Sequence, residues 1–165
     1  MSVGRFCGAI GALLWYPPDN TYLLMRRALD KDFGGGVWEC ITGRVDQGEG
    51  FEDALRREVA EEVGVDIQIE FIVGTTHFYR GKAKPENEMI GVTYCCSISD
   101  PTVIRLSVEH DTYRWVSATE AYDLLTTDDP GTQWMRRVIE RAEAMQPLIS
   151  SALRTWHQTH GLELG

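Results

Sequence analysis

The tightest constraint on the fold lies in residues 51–64, FEDALRREVAEEVG, where apolar side chains recur every fourth residue at Phe51, Leu55, Val59 and Val63 and a glycine follows. That spacing predicts an amphipathic helix over residues 51–63 with Gly64 as its C-terminal cap. On a wheel advancing about 100° per residue from Phe51, the apolar arc runs from roughly 0° to 120°. Glu58, Glu61 and Glu62 project to roughly 340°, 280° and 20°, so they overlap or border the side that packs inward. A solvated acidic face lies opposite the core, and on spacing alone that is the commoner arrangement for a Glu-rich helix. Carboxylates this close repel one another, and withdrawing them from water is costly without a cation or hydrogen-bond donors. Arg57 neutralises only one of them. A hard divalent ion with oxygen ligands answers the rest, and Mg²⁺ suits the role because it combines a few carboxylates with water and substrate phosphates.

The flanking chain supplies a sheet for this helix to pack on. Residues 7–15 are almost wholly apolar, Pro17, Pro18, Asp19 and Asn20 mark a turn, and the run 22–25 returns as the second arm of a β-hairpin. Gly34, Gly35 and Gly36 form a loop leading into the extended run 37–42. After the helix, residues 67–78 and 89–98 read as strands joined by a polar loop over 79–88, with a further short strand at 113–116. Helical patterns follow at 119–125 and 134–145, the latter with Trp134, Met135, Val138, Ile139 and Ala142 in a stripe read as core. This order predicts an α/β (α+β) fold with a mixed sheet. At 165 residues, without repeats or a linker, a single domain over 1–165 is expected, with residues 148–165 as a peripheral tail or helix.

Charge and composition narrow the partners. A net charge of −9 argues against a nucleic-acid polymer, whose backbone calls for clustered Lys and Arg, yet it leaves room for a small phosphorylated ligand drawn by a bound cation. No run of about 18 apolar residues is present, and residues 1–6 lack the regions of a signal peptide, so no membrane association and a cytoplasmic location are expected. Cys7, Cys40, Cys95 and Cys96 are scattered or adjacent rather than spaced as metal knuckles, and read as buried thiols. Lys82 and Lys84 read as a solvated hairpin tip, and His77 and His110 as structural or incidental.

The segment 43–65 carries a more specific signal. Gly43, Glu49, Arg57, Glu58, Val59, Glu61, Glu62, Gly64 and Val65 match every fixed position of the Nudix box, in its spacing and without a gap, so the chain resembles the Nudix hydrolases. Leu23, Leu24, Arg26 and Arg27 look like the family's early strand, and Trp38 stands where an aromatic often precedes the box. One departure is visible: Thr42, Gly43 and Arg44 replace the Pro-Gly-Gly entrance of many members, a pattern similar to some triphosphate-cleaving ones.

The resemblance implies a mixed sheet sandwiched between helices, with the box forming a loop, a helix and a turn. It implies Glu61 and Glu62 as main metal ligands, Glu58 as a further ligand or base, and the carbonyl of Thr42 or Gly43 as a backbone ligand for Mg²⁺, with Mn²⁺ as a substitute. Arg57 and Glu49 look like the pair that braces the loop against the helix. Glu109, six residues before Trp115, is the expected acid outside the box, with Glu88 in reserve. Arg27, Trp38, Arg44 and Phe78 are the expected substrate contacts, and Tyr79 is a further candidate for stacking. The implied reaction is hydrolysis of a nucleoside diphosphate linked to a group X by metal-activated water, with Glu58 or Glu109 taking the proton.

The box entrance and the stretch Glu109, His110, Tyr113, Arg114 and Trp115 are similar to members that cleave nucleoside or dihydroneopterin triphosphates. ADP-ribose, nucleotide sugars and dinucleoside polyphosphates are the alternatives, because fold and box define the bond cut and not the leaving group. Two other classes share the fold. A non-catalytic sensing module usually loses box carboxylates, which are all retained here, and an isopentenyl diphosphate isomerase needs a cysteine in its own motif, whereas Cys95 and Cys96 lie mid-strand. A homodimer is compatible with all of these readings.

Overall fold

The computed structural model describes residues 4–31 and 34–165. Residues 1–3, part of the N-terminal stretch read above for a targeting signal, and residues 32–33 lie outside the described residues. The order is β1 (Cys7–Tyr16), β2 (Thr21–Arg27), β3 (Trp38–Glu39), β4 (Ile41–Arg44), α1 (Phe51–Val63), β5 (Gln68–Tyr79), β6 (Glu88–Ser97), β7 (His110–Val116), α2 (Ala118–Leu124), α3 (Pro130–Met145) and α4 (Ser151–His160). No helix among the described residues is long and apolar enough to cross a membrane.

The strands form one mixed sheet in the order β3-β2-β1-β6-β5, with β4 added to β1 and β7 to β2. Among the described residues only β1 and β6 run parallel, and the other pairings are antiparallel. Side chains alternate across the pleat, so the two faces bury separate sets. Ile10, Ala12 and Leu14 of β1 join Tyr94 and Cys96 of β6 beneath Leu55, Val59 and Val63 of α1. Leu13, Phe71, Val73 and Cys95 face Ala121 of α2 and Met135, Val138, Ile139 and Ala142 of α3. The sheet thus lies between α1 and the α2–α3 pair, the layered α+β arrangement expected from the element order.

Three differences from the sequence reading have local causes. The run 37–42 is two strands: β3 pairs with β2 and β4 with β1, so the chain crosses between neighbouring strands at the buried Cys40. α3 begins at Pro130 rather than at 134, because Asp129 caps it by accepting from the Thr132 amide at 2.9 Å and proline suits the first turn. β7 begins at His110 rather than at 113, continuing its pairing with β2 across a bulge to Arg27. At the other end of α1, Gly64 adopts φ 70 and donates to the Val59 and Ala60 carbonyls, the left-handed cap expected of it.

The segment after α3 folds back onto β5. Glu70, only 3% exposed, accepts from Ser97 Oγ at 2.5 Å, Arg154 Nη1 at 2.9 Å and Gln158 Nε2 at 3.0 Å, and its carbonyl pairs with His157 Nδ1 at 2.8 Å. Arg154 also lies over the Trp15 and Phe71 rings. Removing one partner of a buried ion pair leaves an uncompensated charge, so Arg154→Ala is expected to destabilise the protein by about 3 kcal/mol in urea denaturation. A cost within about 0.5 kcal/mol, the range typical of surface substitutions, would show that Glu70 does not depend on this anchor.

Candidate active site

The site is assembled where β4, the loop after it and α1 meet β2, β3 and β7. Gly43 lies opposite Ile10 of β1 in the sheet register. A Cβ at Gly43 would overlap the Glu58 carboxylate, so the missing side chain is what lets Glu58 lie against the strand backbone. The intervening loop turns at Gly48, φ 92, and is closed by mutual bonds: the Glu49 amide donates to the Asp46 carbonyl at 3.1 Å and the Asp46 amide to Glu49 Oε2 at 3.0 Å.

Arg57 ties this loop to the helix. Its Nε and Nη2 donate to the two oxygens of Glu49 at 2.8 and 2.9 Å, its Nη2 also donates to the Arg44 carbonyl at 2.9 Å, and its Nη1 donates to Glu58 Oε1 at 2.8 Å. Such a two-point guanidinium–carboxylate contact fixes geometry as well as charge. It holds the Glu49 carboxyl down to about 2, helped by the Asp46 amide. The Arg44 side chain itself is exposed.

The three box glutamates differ in setting. Glu61 is mostly in water, its side chain 61% exposed and 3.6 Å from Arg57. Glu58 is largely buried against Arg57 and Gly43. Glu62 is only 8% exposed, and its Oε2 is buried without a hydrogen-bond partner. Burial first, and then the neighbouring Glu39, Glu58 and Glu109 carboxylates, push the Glu62 carboxyl up to about 9, partly offset by Arg27.

A second layer of polar groups backs Glu62. His110 Nδ1, also buried and without a hydrogen-bond partner, stands 3.7 Å from Glu62 Oε2, while His110 Nε2 is 3.0 Å from Glu39 Oε1. Arg27 reaches Glu39 at 3.2 Å and Glu109 at 3.6 Å, and Lys31 Nζ donates to Glu109 at 3.0 Å, a contact that lowers the Glu109 carboxyl below its usual range. Glu109 therefore joins the acidic cluster, whereas Glu88 pairs with His77 at 3.0 Å on the β5–β6 hairpin.

Sequence reading overlooked Glu39 and Lys31 and treated His110 as incidental. The signal for Glu39 was present: an acid flanked by Trp38 and Cys40 in an otherwise apolar run marks a charge carried inward. The site of His110 depends on its register opposite Arg27, which no local pattern discloses. Of the expected substrate contacts, Arg27 is in the acidic network, but Trp38 and Phe78 stand on β3 and β5, at opposite edges of the sheet. Trp38 lies under Arg114, and Phe78 is exposed. On the face opposite α1, Trp134, Arg137 and Arg141 of α3 line a cleft of about 130 Å³ floored by Gly74, Thr75 and Thr93. Trp134, read as part of the core stripe, is its aromatic wall.

Comparison with known proteins agrees with this architecture: a model of the NUDIX domain matches residues 6–142. The chain belongs to the Nudix family. It is a Nudix hydrolase, a family that generally uses divalent cations. It is 33% identical over 115 residues to the nucleoside triphosphatase NudI of an Escherichia coli strain, covering 64% of this chain and 81% of that one. It is 29% identical over 127 residues to a Myxococcus xanthus octanoyltransferase, covering 77% of this chain but only 33% of that protein's length. Among solved structures, a MutT protein from Methanosarcina mazei superposes with a TM-score of 0.69 at 23% identity, over 88% of this chain and 99% of that one. The E. coli dihydroneopterin triphosphate pyrophosphohydrolase does so with 0.65 at 24%, over 83% and 96%. At these identities the two structures speak for the fold alone.

Glu58, Glu61, Glu62 and Glu109 carry hard oxygen donors of the kind a divalent cation takes. Among the described residues no three acidic or histidine side chains converge into a ready-made shell. Glu62 nevertheless presents a buried oxygen with no hydrogen-bond partner, beside Glu58 and Glu109, and its proton is one that a cation would displace. The sign of the resulting pH dependence follows directly. A carboxyl raised from 4.5 to about 9 binds more protons folded than unfolded between those values, so its favourable contribution is complete below about 4.5 and is lost as pH rises toward 9. In chelator, the thermal midpoint is expected to fall by several degrees between pH 5 and pH 8 more steeply than that of Glu62→Gln, which lacks the titrating group. Parallel curves for the two proteins would place the Glu62 carboxyl in its ordinary range.

Proposed function

We propose that this Nudix hydrolase cleaves the diphosphate linkage of a nucleoside triphosphate or of dihydroneopterin triphosphate, with Mg²⁺ held by Glu58, Glu61, Glu62, Glu109 and the Gly43 carbonyl. The observation that carries this reading is the partnerless Glu62 oxygen, withdrawn from water amid Glu39, Glu58 and Glu109. Hydrolysis is preferred over sensing because the box acids are all present and the Arg57–Glu49 brace is fully made. The triphosphate class is favoured by the 33% identity to a nucleoside triphosphatase over most of that protein's length.

When bound, the divalent cation lowers the pKa of water and offsets charge on the phosphoryl oxygens. The chain's own residues do the rest. Arg57 fixes Glu58 at 2.8 Å and so sets the angle at which its free oxygen leaves the helix. Arg27 and Lys31 hold Glu109 at the cluster's rim and carry the positive charge suited to a polyphosphate. The proton of the attacking water passes to Glu58 or to Glu109.

The test is a panel of nucleoside triphosphates, dihydroneopterin triphosphate, ADP-ribose, a nucleotide sugar and a dinucleoside polyphosphate, assayed with Mg²⁺ and with chelator. Pyrophosphate or phosphate release is expected from a triphosphate, lost on chelation, and reduced in kcat at least about a hundredfold by Glu62→Gln. Near-normal turnover of that variant would remove Glu62 from the site, and preference for ADP-ribose or a sugar nucleotide would overturn the substrate class. Comparing Glu58→Gln with Glu109→Gln separates the two bases: the variant of the true base loses the acidic limb of the pH–kcat profile, and the other keeps it.

A further inference from the structure

The family match ends at residue 142, yet the chain continues through α4 and returns to the first turn of α1. That turn begins without a cap of its own. Gly50, the N-cap residue, has no side chain to accept from the first amides, although its φ of −83 and ψ of 172 are those of an ordinary capping residue. The acceptor comes from 112 positions away: Glu163 Oε1 takes the Phe51 amide at 2.6 Å and Oε2 the Glu52 amide at 3.4 Å. Glu52 answers in kind, its Oε1 accepting from the Leu162 and Glu163 amides, the latter at 2.8 Å.

This is a reciprocal cap, similar in logic to a capping box, between segments more than a hundred positions apart. Glycines make room for both carboxylates. A Cβ on Gly50 would come within 2.5 Å of Glu163, and one on Gly161, φ 72, within 2.8 Å of Glu52. Leu162 packs against the core under α1, and α4 is anchored to β5 through Glu70. The start of α1 is therefore held from outside the box, two to about three turns ahead of Glu58, Glu61 and Glu62.

We propose that Glu163 is a positioning residue for the Nudix helix, acting through its reciprocal cap with Glu52 to set where α1 presents its glutamates to the cation. The cap stands on the contacts above; its effect on the metal site rests on the proposed function. The experiment compares the full chain with Glu163→Ala, Gly50→Ser and the double variant, by amide exchange in chelator, Mn²⁺ binding by electron paramagnetic resonance, and kcat against KM. In Glu163→Ala, exchange at Phe51 and Glu52 is expected to quicken at least about tenfold and Mn²⁺ to bind several-fold more weakly. Gly50→Ser is expected to reverse sign. Its side chain collides with Glu163 in the wild-type background and loosens the turn, but in Glu163→Ala it supplies a local cap and restores both protection and Mn²⁺ affinity.

Unchanged exchange in Glu163→Ala, or the same sign for Gly50→Ser in both backgrounds, overturns the cap. A loosened turn with Mn²⁺ affinity, kcat and KM all at wild-type values overturns the positioning role. A wild-type protein that binds no Mn²⁺ counts against the proposed function alone, and the cap is then judged on exchange and on the sign of Gly50→Ser.

Discussion

Withdrawing a carboxylate from water is among the costlier things a fold can do, and here Glu62 is withdrawn with one oxygen left unpartnered. Much of the surrounding structure reads as a response to that. α1 must present its inner edge to a sheet rather than to solvent, Gly43 must lack a side chain so that Glu58 can lie beside the strand, and cations at Arg27, Lys31 and Arg57 must stand near enough to moderate the repulsion without neutralising every acid. A surface helix of the same composition would need none of these.

The sheet meets these demands by division of labour between its faces. Beneath α1 it is apolar except at the β2–β3–β7 end, where Arg27, Glu39 and His110 come together. The opposite face is covered by α2 and α3 and opens into the cleft beside Trp134, Arg137 and Arg141. Acidic chemistry and an aromatic, guanidinium-lined cleft are thereby placed on opposite faces of the sheet. The mid-strand Cys95 and Cys96 are buried in these cores, their thiols pushed up by burial, which is the setting of inert packing groups rather than of a catalytic cysteine.

The segment beyond α3 adds an element that the box lacks. Its anchor at Glu70 and its contact with Glu52 join the far edge of the sheet to the beginning of α1. Because a helix end left to itself frays, an acceptor supplied from another element stiffens the helix as effectively as a local serine or aspartate would. A tail that looks dispensable along the chain is thus part of the framework carrying the box.

Local pattern was enough to reveal much of this protein. The four-residue recurrence of Phe51, Leu55, Val59 and Val63, the cap at Gly64, the box spacing and the apolar runs of the long strands are properties of near neighbours along the chain, and local pattern reports them faithfully. The split of residues 37–42 into β3 and β4, the register bringing His110 opposite Arg27, the inward Glu39 and the capping of Phe51 by Glu163 were decided only in three dimensions. Each joins groups brought together by the packing of separate elements, and such pairing is selected by how strands and helices bury their surfaces together, which no local window of sequence contains.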